Sequence, residues 1–305
     1  MLSGHFLTPN NASALFPEDA LRNRQVRFPE DRIGTDFLQQ GNTSMGSKIE
    51  TVDETHHISA PGDPSRKEVW IMFDRIARSY DLLNRVLSFG MDMWWRRKMA
   101  GYLPSGHDQK VLDLATATAD QLLFLFEKSD SVTSGVGMDL AEKMLEIGRR
   151  KIKCRGLSRA ISLRVGDAMD IPADDQDFDV VTISFGIRNM SDAAKALREM
   201  YRVLKPSGRV LVLEFSLPHN PLIRAMHLFY LRHVLPQVGA FVSGDARAYR
   251  YLNETIETFP YGDAFCDLLR AAGFAAVQAH PLTFGVATIY QGDRPAGPKG
   301  IAYPD

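Results

Sequence analysis

The sequence predicts an α/β protein whose core is a doubly wound, mostly parallel sheet of seven strands. Two observations carry this fold class. Short apolar runs alternate with amphipathic segments of helical length from position 110 onward, as strands and crossover helices do in parallel sheets. Acidic and other polar residues follow several of these runs, at the strand ends where open α/β sheets bind their ligands.

The apolar runs give the bounds of the predicted strands. These are residues 111–115, 134–140, 161–168, 178–186, 209–216, 275–282 and 285–292. The helices between them are expected at residues 121–129, 141–156, 191–208 and 263–274. Ser191 or Asp192 is the expected N-cap of the third of these helices, and the Pro-Ser-Gly run at 206–208 is its expected end.

A further helix is predicted before the sheet, where apolar residues recur at helical spacing. They are Val69, Met72, Phe73, Ile76 and Tyr80. Two interpretations of this helix, taken with Trp70 and the nearby Trp94 and Trp95, stay open. Its apolar face either packs into the core or rests on a membrane surface.

The chain is predicted to hold one large domain with accessory segments. Residues 1–64 are rich in polar residues, glycine and proline without a sustained apolar period, so they are expected to be a disordered extension. The folded domain is expected over residues 65–293, with a helical, aromatic-rich insertion at 219–252. Residues 294–305 are expected to be a tail.

Composition limits the classes of function. The 305 residues are 45% hydrophobic with a formal net charge of −1, so we expect no nucleic-acid partner. The two cysteines, Cys154 and Cys266, have no paired spacing. They indicate a reducing, cytoplasmic location and two small buried side chains, with no disulfide and no metal site. No uninterrupted apolar window is long enough to span a membrane.

Four loops are predicted at the carboxyl edge of the sheet. They are ATATAD (115–120), Asp139, Asp167-Ala168 and SFGIRN (184–189). A carboxylate at Asp139 can accept both hydroxyls of a ribose, and Asp167 with its backbone neighbours can bind an adenine. Taken singly, each feature has a simpler interpretation. Asp139 can cap the next helix, Asp167 can be a turn residue, and Arg188 can be solvated or ion-paired.

Three longer stretches are more specific than a generic α/β pattern. They are FDRIARSYDLLNRVLSFGMDMWWRR (73–97), TISFGIRNMSDAAKALREMYRVLKPSGRVLVLEFSLP (182–218) and YRYLNETIETFP (249–260). From about Val69 to Gly292 the chain resembles the ubiquinone/menaquinone biosynthesis C-methyltransferases, a family of class I enzymes. The resemblance implies S-adenosyl-L-methionine as the cofactor and a polyprenylated quinol as the substrate.

The resemblance also assigns residues to a cofactor pocket. It implies Thr118 on the methionine side, Asp139 on the ribose, Asp167 and Ala168 at the adenine and Ser184 beneath it. Asp113 and Ala117 complete the set as parts of the loop after the first strand.

On the substrate side, the resemblance implies an edge built from Tyr80, Arg188 and Asn189, with the helical insertion as a lid over the prenyl chain. A polyprenyl substrate resides in the bilayer, so peripheral contact with the inner face of the membrane is expected. A homodimer or a quinone-biosynthesis complex is the candidate assembly.

The loop after the first strand departs from the family, which usually carries glycine at the positions of Ala117 and Ala119. Alanine is unfavourable by about 1 kcal/mol or more where glycine had held φ > 0. Its methyl group is also expected to push outward where the cofactor approaches most closely. Asp113, Thr118 and Asp120 still supply the polar groups of the loop.

The implied reaction is transfer of a sulfonium methyl group to a ring carbon of the quinol. Loss of a proton from the adjacent hydroxyl makes that carbon nucleophilic, so the site needs a proton acceptor and a cation for the phenolate. Arg188 is assigned to the phenolate, Asn189 to the orientation of the hydroxyl and Tyr80 to the ring pocket. The acceptor is water or, among the histidines of the insertion, first His233.

Two other functions stay open from the sequence. One is a catalytically impaired protein of methyltransferase fold that serves as a scaffold or binding partner in quinone biosynthesis, because the cofactor loop lacks its glycines. The other is a small-molecule methyltransferase with a different class of substrate.

Overall fold

The computed structural model describes residues 69–238 and 246–297, and for residues 246–250 it describes the backbone alone. The predicted extension at 1–64, the middle of the insertion at 239–245 and the end of the predicted tail lie outside the described residues.

The described residues form seven strands with helices before, between and after them. The strands are β1 (Gln109–Leu114), β2 (Val132–Asp139), β3 (Ile161–Val165), β4 (Phe178–Ser184), β5 (Leu204–Phe215), β6 (Ala275–Leu282) and β7 (Ala287–Asp293). The main helices are α1 (Val69–Leu87), α2 (Met91–Met99), α3 (Asp120–Lys128), α4 (Glu142–Cys154), α5 (Ala193–Val203), α6 (Pro221–Phe229), α7 (Ala246–Thr258) and α8 (Asp263–Ala271).

The strands make one sheet in the order β3-β2-β1-β4-β5-β7-β6. The pairs from β3 to β5 are parallel, and β7 is antiparallel to both of its neighbours. Central side chains such as Val111 and Leu112 of β1 and Val181 of β4 are fully buried, because helices cover both faces of the sheet. The doubly wound, mostly parallel fold class is therefore confirmed.

This topology fixes where a ligand site lies. Strand order reverses between β1 and β4, so the loops that leave these two strands diverge and open a crevice at the carboxyl edge. A backbone contact at that crevice requires Gly186, which follows β4. A Cβ atom on Gly186 would lie 2.5 Å from the Cβ atom of Ala115 in the loop after β1, a distance that no side chain tolerates.

Three boundaries differ from the sequence predictions. The helix expected at 191–208 ends at Val203, and β5 begins at once with Leu204, because Leu204 pairs with Phe178 across an irregularity in the β4–β5 register. Helix α7 continues beyond the expected end of the insertion at 252. Asp192 is the N-cap of α5, accepting a hydrogen bond from the Lys195 amide.

Two burial predictions are also resolved. Cys266 is buried as expected, but Cys154 is exposed because it ends α4 on the solvent side. The aromatic face of the N-terminal helices is divided: Trp95 is 3% exposed, whereas Trp70 and Trp94 are 40% and 42% exposed. The core interpretation therefore holds for Trp95, and contact of the exposed tryptophans with a membrane stays a prediction. No described helix combines the length and apolarity needed to cross a membrane.

Candidate active site

The loop after β1 holds three alanines in the left-handed backbone region. The φ angle is 47° at Ala115, 49° at Ala117 and 65° at Ala119, and each is unfavourable by about 1–2 kcal/mol for a residue with a Cβ atom. The strain predicted at Ala117 and Ala119 is confirmed, and Ala115 adds a third strained position that the sequence did not indicate.

The methyl groups of these alanines point to different places. Ala115 and Ala117 line a cavity of about 380 Å³ at the carboxyl edge of the sheet. Ala119 is fully buried in the core on one face of the sheet. The expectation that the Ala119 methyl group pushes toward a cofactor is therefore wrong; its cost is backbone strain alone.

The first cavity gathers most of the residues expected at the cofactor. Those that line it are Ala117, Asp139, Asp167, Ala168 and Ser184. Parallel strands bring them together, since these five residues end or follow four neighbouring strands of the same sheet, with Asp167 and Ala168 both following β3. Ser184 is buried and its hydroxyl donates to the Gln121 Oε1 atom at 3.0 Å.

Asp139 joins the loop to the sheet edge. Its Oδ2 atom accepts a hydrogen bond from the Ala117 amide and its Oδ1 atom accepts one from the Ala141 amide, both at 2.9 Å. Burial raises the pKa of this carboxyl, and the two amides act against that rise. A carboxylate has about four acceptor positions, so these two amide hydrogen bonds leave acceptors for a ribose.

Asp113 and Thr118 do not line this cavity. The Asp113 carboxylate accepts hydrogen bonds from the hydroxyls of Thr116 and Thr182, both at 2.6 Å. Burial raises the pKa of Asp113 to about 6. Asp113 therefore holds Thr116 of the loop after β1 to Thr182 of β4, on the buried side of that loop.

Thr118 belongs to a charged cluster under α1. Its hydroxyl donates to Asp81 at 2.7 Å and accepts from the Lys151 ammonium at 2.9 Å. Lys151 also pairs with Asp81 and with Asp120, and Arg85 pairs with Asp120 at 2.6 Å. The cluster joins α1, the loop after β1, α3 and α4, so it holds the first helix against the strained loop.

A second cavity of about 330 Å³ lies beside the first, between α1, α2, the end of β5 and the insertion. Its walls are mainly apolar and aromatic. Four side chains line both cavities: Phe73, Tyr80, Phe185 and Asn189. Two of the three residues expected at the substrate therefore stand at the boundary between the cavities.

Tyr80 and Asn189 present polar atoms at this boundary. Burial raises the pKa of the Tyr80 phenol, with the Arg96 charge acting against the rise, so the hydroxyl stays protonated near neutral pH and can donate a hydrogen bond. The Asn189 Oδ1 atom is buried without a hydrogen-bond partner among the described residues. Buried polar atoms are rarely left unpaired, so Asn189 has an acceptor to offer a ligand.

Arg188 lines the second cavity, but it is ion-paired. Its guanidinium donates to the Glu214 carboxylate at 2.8 Å and to the Phe185 carbonyl at 2.6 Å. Both side chains are buried, at 5% and 1% exposure. The ion-paired interpretation of Arg188 is thus realised, and its Nε atom is buried without a partner among the described residues.

Of the two histidines at 227 and 233, His227 lines the second cavity and His233 does not. His233 is exposed and contacts the Phe229 ring. His227, six residues earlier, lines the second cavity with its Nε2 atom buried and unpartnered among the described residues. Burial lowers the pKa of its imidazole, so it is neutral near pH 7. Helical rotation explains the error, since positions 227 and 233 face different directions.

Arg96 is a second buried arginine in this cavity, and the sequence predictions missed it. It stands at 7% exposure beside the Phe185 ring, with its guanidinium carbon 5.3 Å from the ring centroid. The sequence did carry a signal. The buried residues of α2 are Asp92, Trp95, Arg96 and Met99, which share one helical face, so two charged residues interrupt an apolar stripe.

Comparison with known proteins identifies the family. Residues 63–294 match the ubiE/COQ5 methyltransferase family. The chain belongs to this family. It is 46% identical over 224 residues to "Demethylmenaquinone methyltransferase" of Thermus thermophilus, covering 73% of this chain and all of that one. It is 43% identical over 226 residues to "Ubiquinone/menaquinone biosynthesis C-methyltransferase UbiE" of Geotalea daltonii, covering 73% of this chain and 94% of that one.

Solved structures agree on the fold. A putative methyltransferase bound to the Trm112 activator of Haloferax volcanii has a TM-score of 0.54 at 18% identity, covering 73% of this chain and 97% of that one. A possible histamine N-methyltransferase of Thermotoga maritima has a TM-score of 0.52 at 19% identity, covering 74% and 99%. This member of the ubiE/COQ5 methyltransferase family is thus an S-adenosylmethionine-dependent methyltransferase of class I fold.

Proposed function

We propose that this enzyme methylates a ring carbon of a polyprenylated quinol, namely demethylmenaquinol and/or 2-polyprenyl-6-methoxy-1,4-benzoquinol, in quinone biosynthesis. The names of its relatives favour this chemistry. The observation that carries the proposal is the pair of adjoining cavities with four common side chains. A methyl donor in one and an aromatic ring in the other would meet in line across that boundary, as methyl transfer requires.

The residues of the first cavity fit S-adenosylmethionine, which supplies an electrophilic methyl group on a positively charged sulfur. Asp139 would hold the ribose, Asp167 and Ala168 the adenine, and Ser184 the floor of the pocket. Gly186 keeps the crevice open, because a side chain there would collide with Ala115. Thr118 and Asp113 would act indirectly by shaping the loop.

The residues of the second cavity fit a quinol ring with a long apolar tail. Tyr80 and Asn189 would bind and orient the ring hydroxyls. Arg188 would donate from its unpaired Nε atom while Glu214 holds the rest of its guanidinium in place. The apolar walls toward α6 and α7, including Leu231 and Leu235, would cover the first prenyl units and exclude water.

We also propose that the insertion touches the membrane from which the substrate comes. Leu222, Met226 and Phe229 are 70%, 66% and 62% exposed, and their spacing puts them on one face of α6. Exposed apolar rows of this kind favour interfacial binding. The same helix places His227 in the lining of the second cavity, so under this proposal a prenyl chain would enter close to the exposed row.

Binding and turnover test the proposal in sequence. Calorimetry should detect S-adenosylmethionine at a dissociation constant below about 1 mM, the range of −4 kcal/mol or tighter. Transfer of an isotopically labelled methyl group to demethylmenaquinol and to the methoxy-benzoquinol then identifies the substrate. Cofactor binding without transfer to either quinol would contradict the proposed function and favour the scaffold alternative, which the comparisons do not support.

A further inference from the structure

The second cavity contains two buried arginines that differ in how their charge is balanced. Arg188 pairs with Glu214 at 2.8 Å. Arg96 makes no ion pair within 4.0 Å and no side-chain hydrogen bond with any described residue, and its Nε atom is buried and unpartnered. Its positive charge interacts at longer range with the carboxylates of Asp113 and Asp120. It also opposes the rise in the pKa of the Tyr80 hydroxyl.

Such a guanidinium is unfavourable without an acceptor, because a buried charge loses its hydration. Contact with the Phe185 ring offsets part of this loss. The carboxylate on the same helix, Asp92, offers no compensation, since it is bonded to Arg85 and to the Ser88 hydroxyl. The terminal nitrogens of Arg96 therefore remain available to a ligand in the second cavity.

The location of Arg96 indicates which ligand this is. It lines the second cavity and not the first, so a cofactor carboxylate is the poorer match. Phe185, beneath its guanidinium, is one of the four side chains common to both cavities. An anion bound by Arg96 would therefore lie beside the point of methyl transfer.

We propose that Arg96 is the catalytic cation that binds the ionised oxygen of the aromatic substrate, a role that rests on the proposed function. When the ring hydroxyl loses its proton to water, negative charge spreads from the oxygen to the adjacent ring carbon. That carbon bonds to the methyl group while the sulfur keeps the electron pair of the broken bond, and loss of the ring proton restores aromaticity. Arg96 stabilises the negative oxygen throughout, whereas the charge of Arg188 is already neutralised by Glu214.

A binding experiment tests this without turnover. The probe is an alkylated nitrophenol, whose phenolate absorbs at longer wavelength than the phenol, titrated on the full chain across the neutral range. We expect the wild-type chain to lower the apparent pKa of the bound probe by about one unit, equivalent to a tenfold preference for phenolate. Arg96→Met should abolish this shift and Arg96→Lys should keep part of it.

Arg97→Met is the matched control, because the neighbouring Arg97 stacks on Phe124 outside both cavities. It should keep the full shift, and all three variants should bind S-adenosylmethionine as the wild type does. Thermal unfolding checks that each variant is folded. An unchanged shift in Arg96→Met, or an equal loss in Arg97→Met, would overturn the proposal.

The binding experiment distinguishes a failure of the Arg96 proposal from a failure of the proposed function. If the wild-type chain methylates no quinol but the probe shift still depends on Arg96, the assigned reaction fails and the anion site stands. If methylation proceeds and the probe shift does not depend on Arg96, the reaction stands and this inference fails.

Discussion

At the residue scale, Ala117 and Ala119 differ in how they are expected to act. From the sequence, both are expected to strain the backbone and to place a methyl group near the cofactor. Both hold a left-handed backbone, at φ 49° and 65°. Only Ala117 also lines the first cavity, the proposed cofactor site, while the methyl group of Ala119 fills part of the core. Strain that exists before the cofactor binds lowers stability, whereas a methyl group in the cavity lowers affinity.

Substitution by glycine at the two positions should therefore have different effects on stability and on cofactor affinity. Ala117→Gly is expected to raise both the unfolding free energy, by about 1 kcal/mol, and the affinity for S-adenosylmethionine, by a few-fold. Ala119→Gly should leave affinity unchanged, and its relief of strain should be offset by the loss of a buried methyl group, about 0.8 kcal/mol. Urea unfolding and calorimetry measure the two quantities.

Ala141→Gly provides the control, because Ala141 has φ −88° and gains nothing from glycine. It should lower stability by about 0.5–1 kcal/mol. If Ala119→Gly raises cofactor affinity as much as Ala117→Gly does, the distinction between the two methyl groups is incorrect.

Asp113 gives the protein a distinct dependence of stability on pH. Burial raises its pKa from 3.8 to about 6, so the folded chain holds this proton more tightly than the unfolded chain. The contribution of this carboxyl to stability therefore falls as pH rises from about 4 to about 6, then stays constant.

Asp113→Asn removes this dependence. Across that window the variant should gain on the order of 2–3 kcal/mol of unfolding free energy relative to the wild type. Urea unfolding at both ends of the window measures the change, and Asp130→Asn, at an exposed position, should follow the wild-type profile. Parallel profiles for Asp113→Asn and the wild type would show that Asp113 ionises normally.

At the scale of elements, apolar periodicity predicted the sheet because both faces of its central strands are buried. It also predicted α1 and the strand-end loops that bring Asp139, Asp167 and Ser184 together. The start of β5 escaped prediction, because the pairing of Leu204 with Phe178 depends on a strand 26 positions away in sequence.

The contacts of the site residues also lay beyond prediction, since they depend on strand register and helix rotation. The Arg188–Glu214 pair needs the β4–β5 alignment, and Thr118 turns toward Asp81 because α1 packs above it. Likewise, the choice between His227 and His233 is decided by the phase of α6 and the π-helical turn at Tyr230–Val234.

Lys151 is the centre of the cluster that holds α1 to the cofactor loop. Lys151→Met should lower the unfolding free energy by about 2 kcal/mol, because Asp81 and Asp120 lose their shared cation. Cofactor affinity should fall with it, since Thr118 loses a donor. Adding Asp81→Asn should recover part of the stability, because Asp81 loses its cation whereas Asp120 keeps Arg85, as a double-mutant cycle would measure.

Lys153→Met, on an exposed face of the same helix, is the control and should change stability by less than about 0.5 kcal/mol. Equal effects of the two lysine variants would mean that the cluster contributes no specific support to the loop.

At the scale of the whole molecule, the two cavities and the exposed row on α6 would together offer a path to an amphipathic substrate under the proposed function. The row formed by Leu222, Met226 and Phe229 lies on the same helix as His227, which lines the second cavity, and the two cavities share four lining side chains. A substrate taken from a bilayer would thus reach the methyl donor without full exposure of its chain to water.

Changing all three residues of this row to serine should weaken co-sedimentation with phospholipid vesicles several-fold, because each loses a buried apolar side chain at the interface. Turnover of a short-chain, water-soluble quinol should persist. Val165→Ser, at the 52% exposed end of the edge strand β3, is the control and should sediment as the wild type does. Unchanged vesicle binding by the triple variant would contradict membrane contact through α6.

The proposed function requires a methyl donor and a quinol ring to meet between Tyr80 and Asn189. The most direct test incubates the purified chain with S-adenosylmethionine labelled in its methyl group and with reduced demethylmenaquinol, followed by mass spectrometry of the quinone. We predict one labelled methyl group per ring, attached to carbon. A label attached to oxygen, or no label on any reduced polyprenyl quinol while the cofactor binds, would rule out carbon methylation of a quinol by this protein.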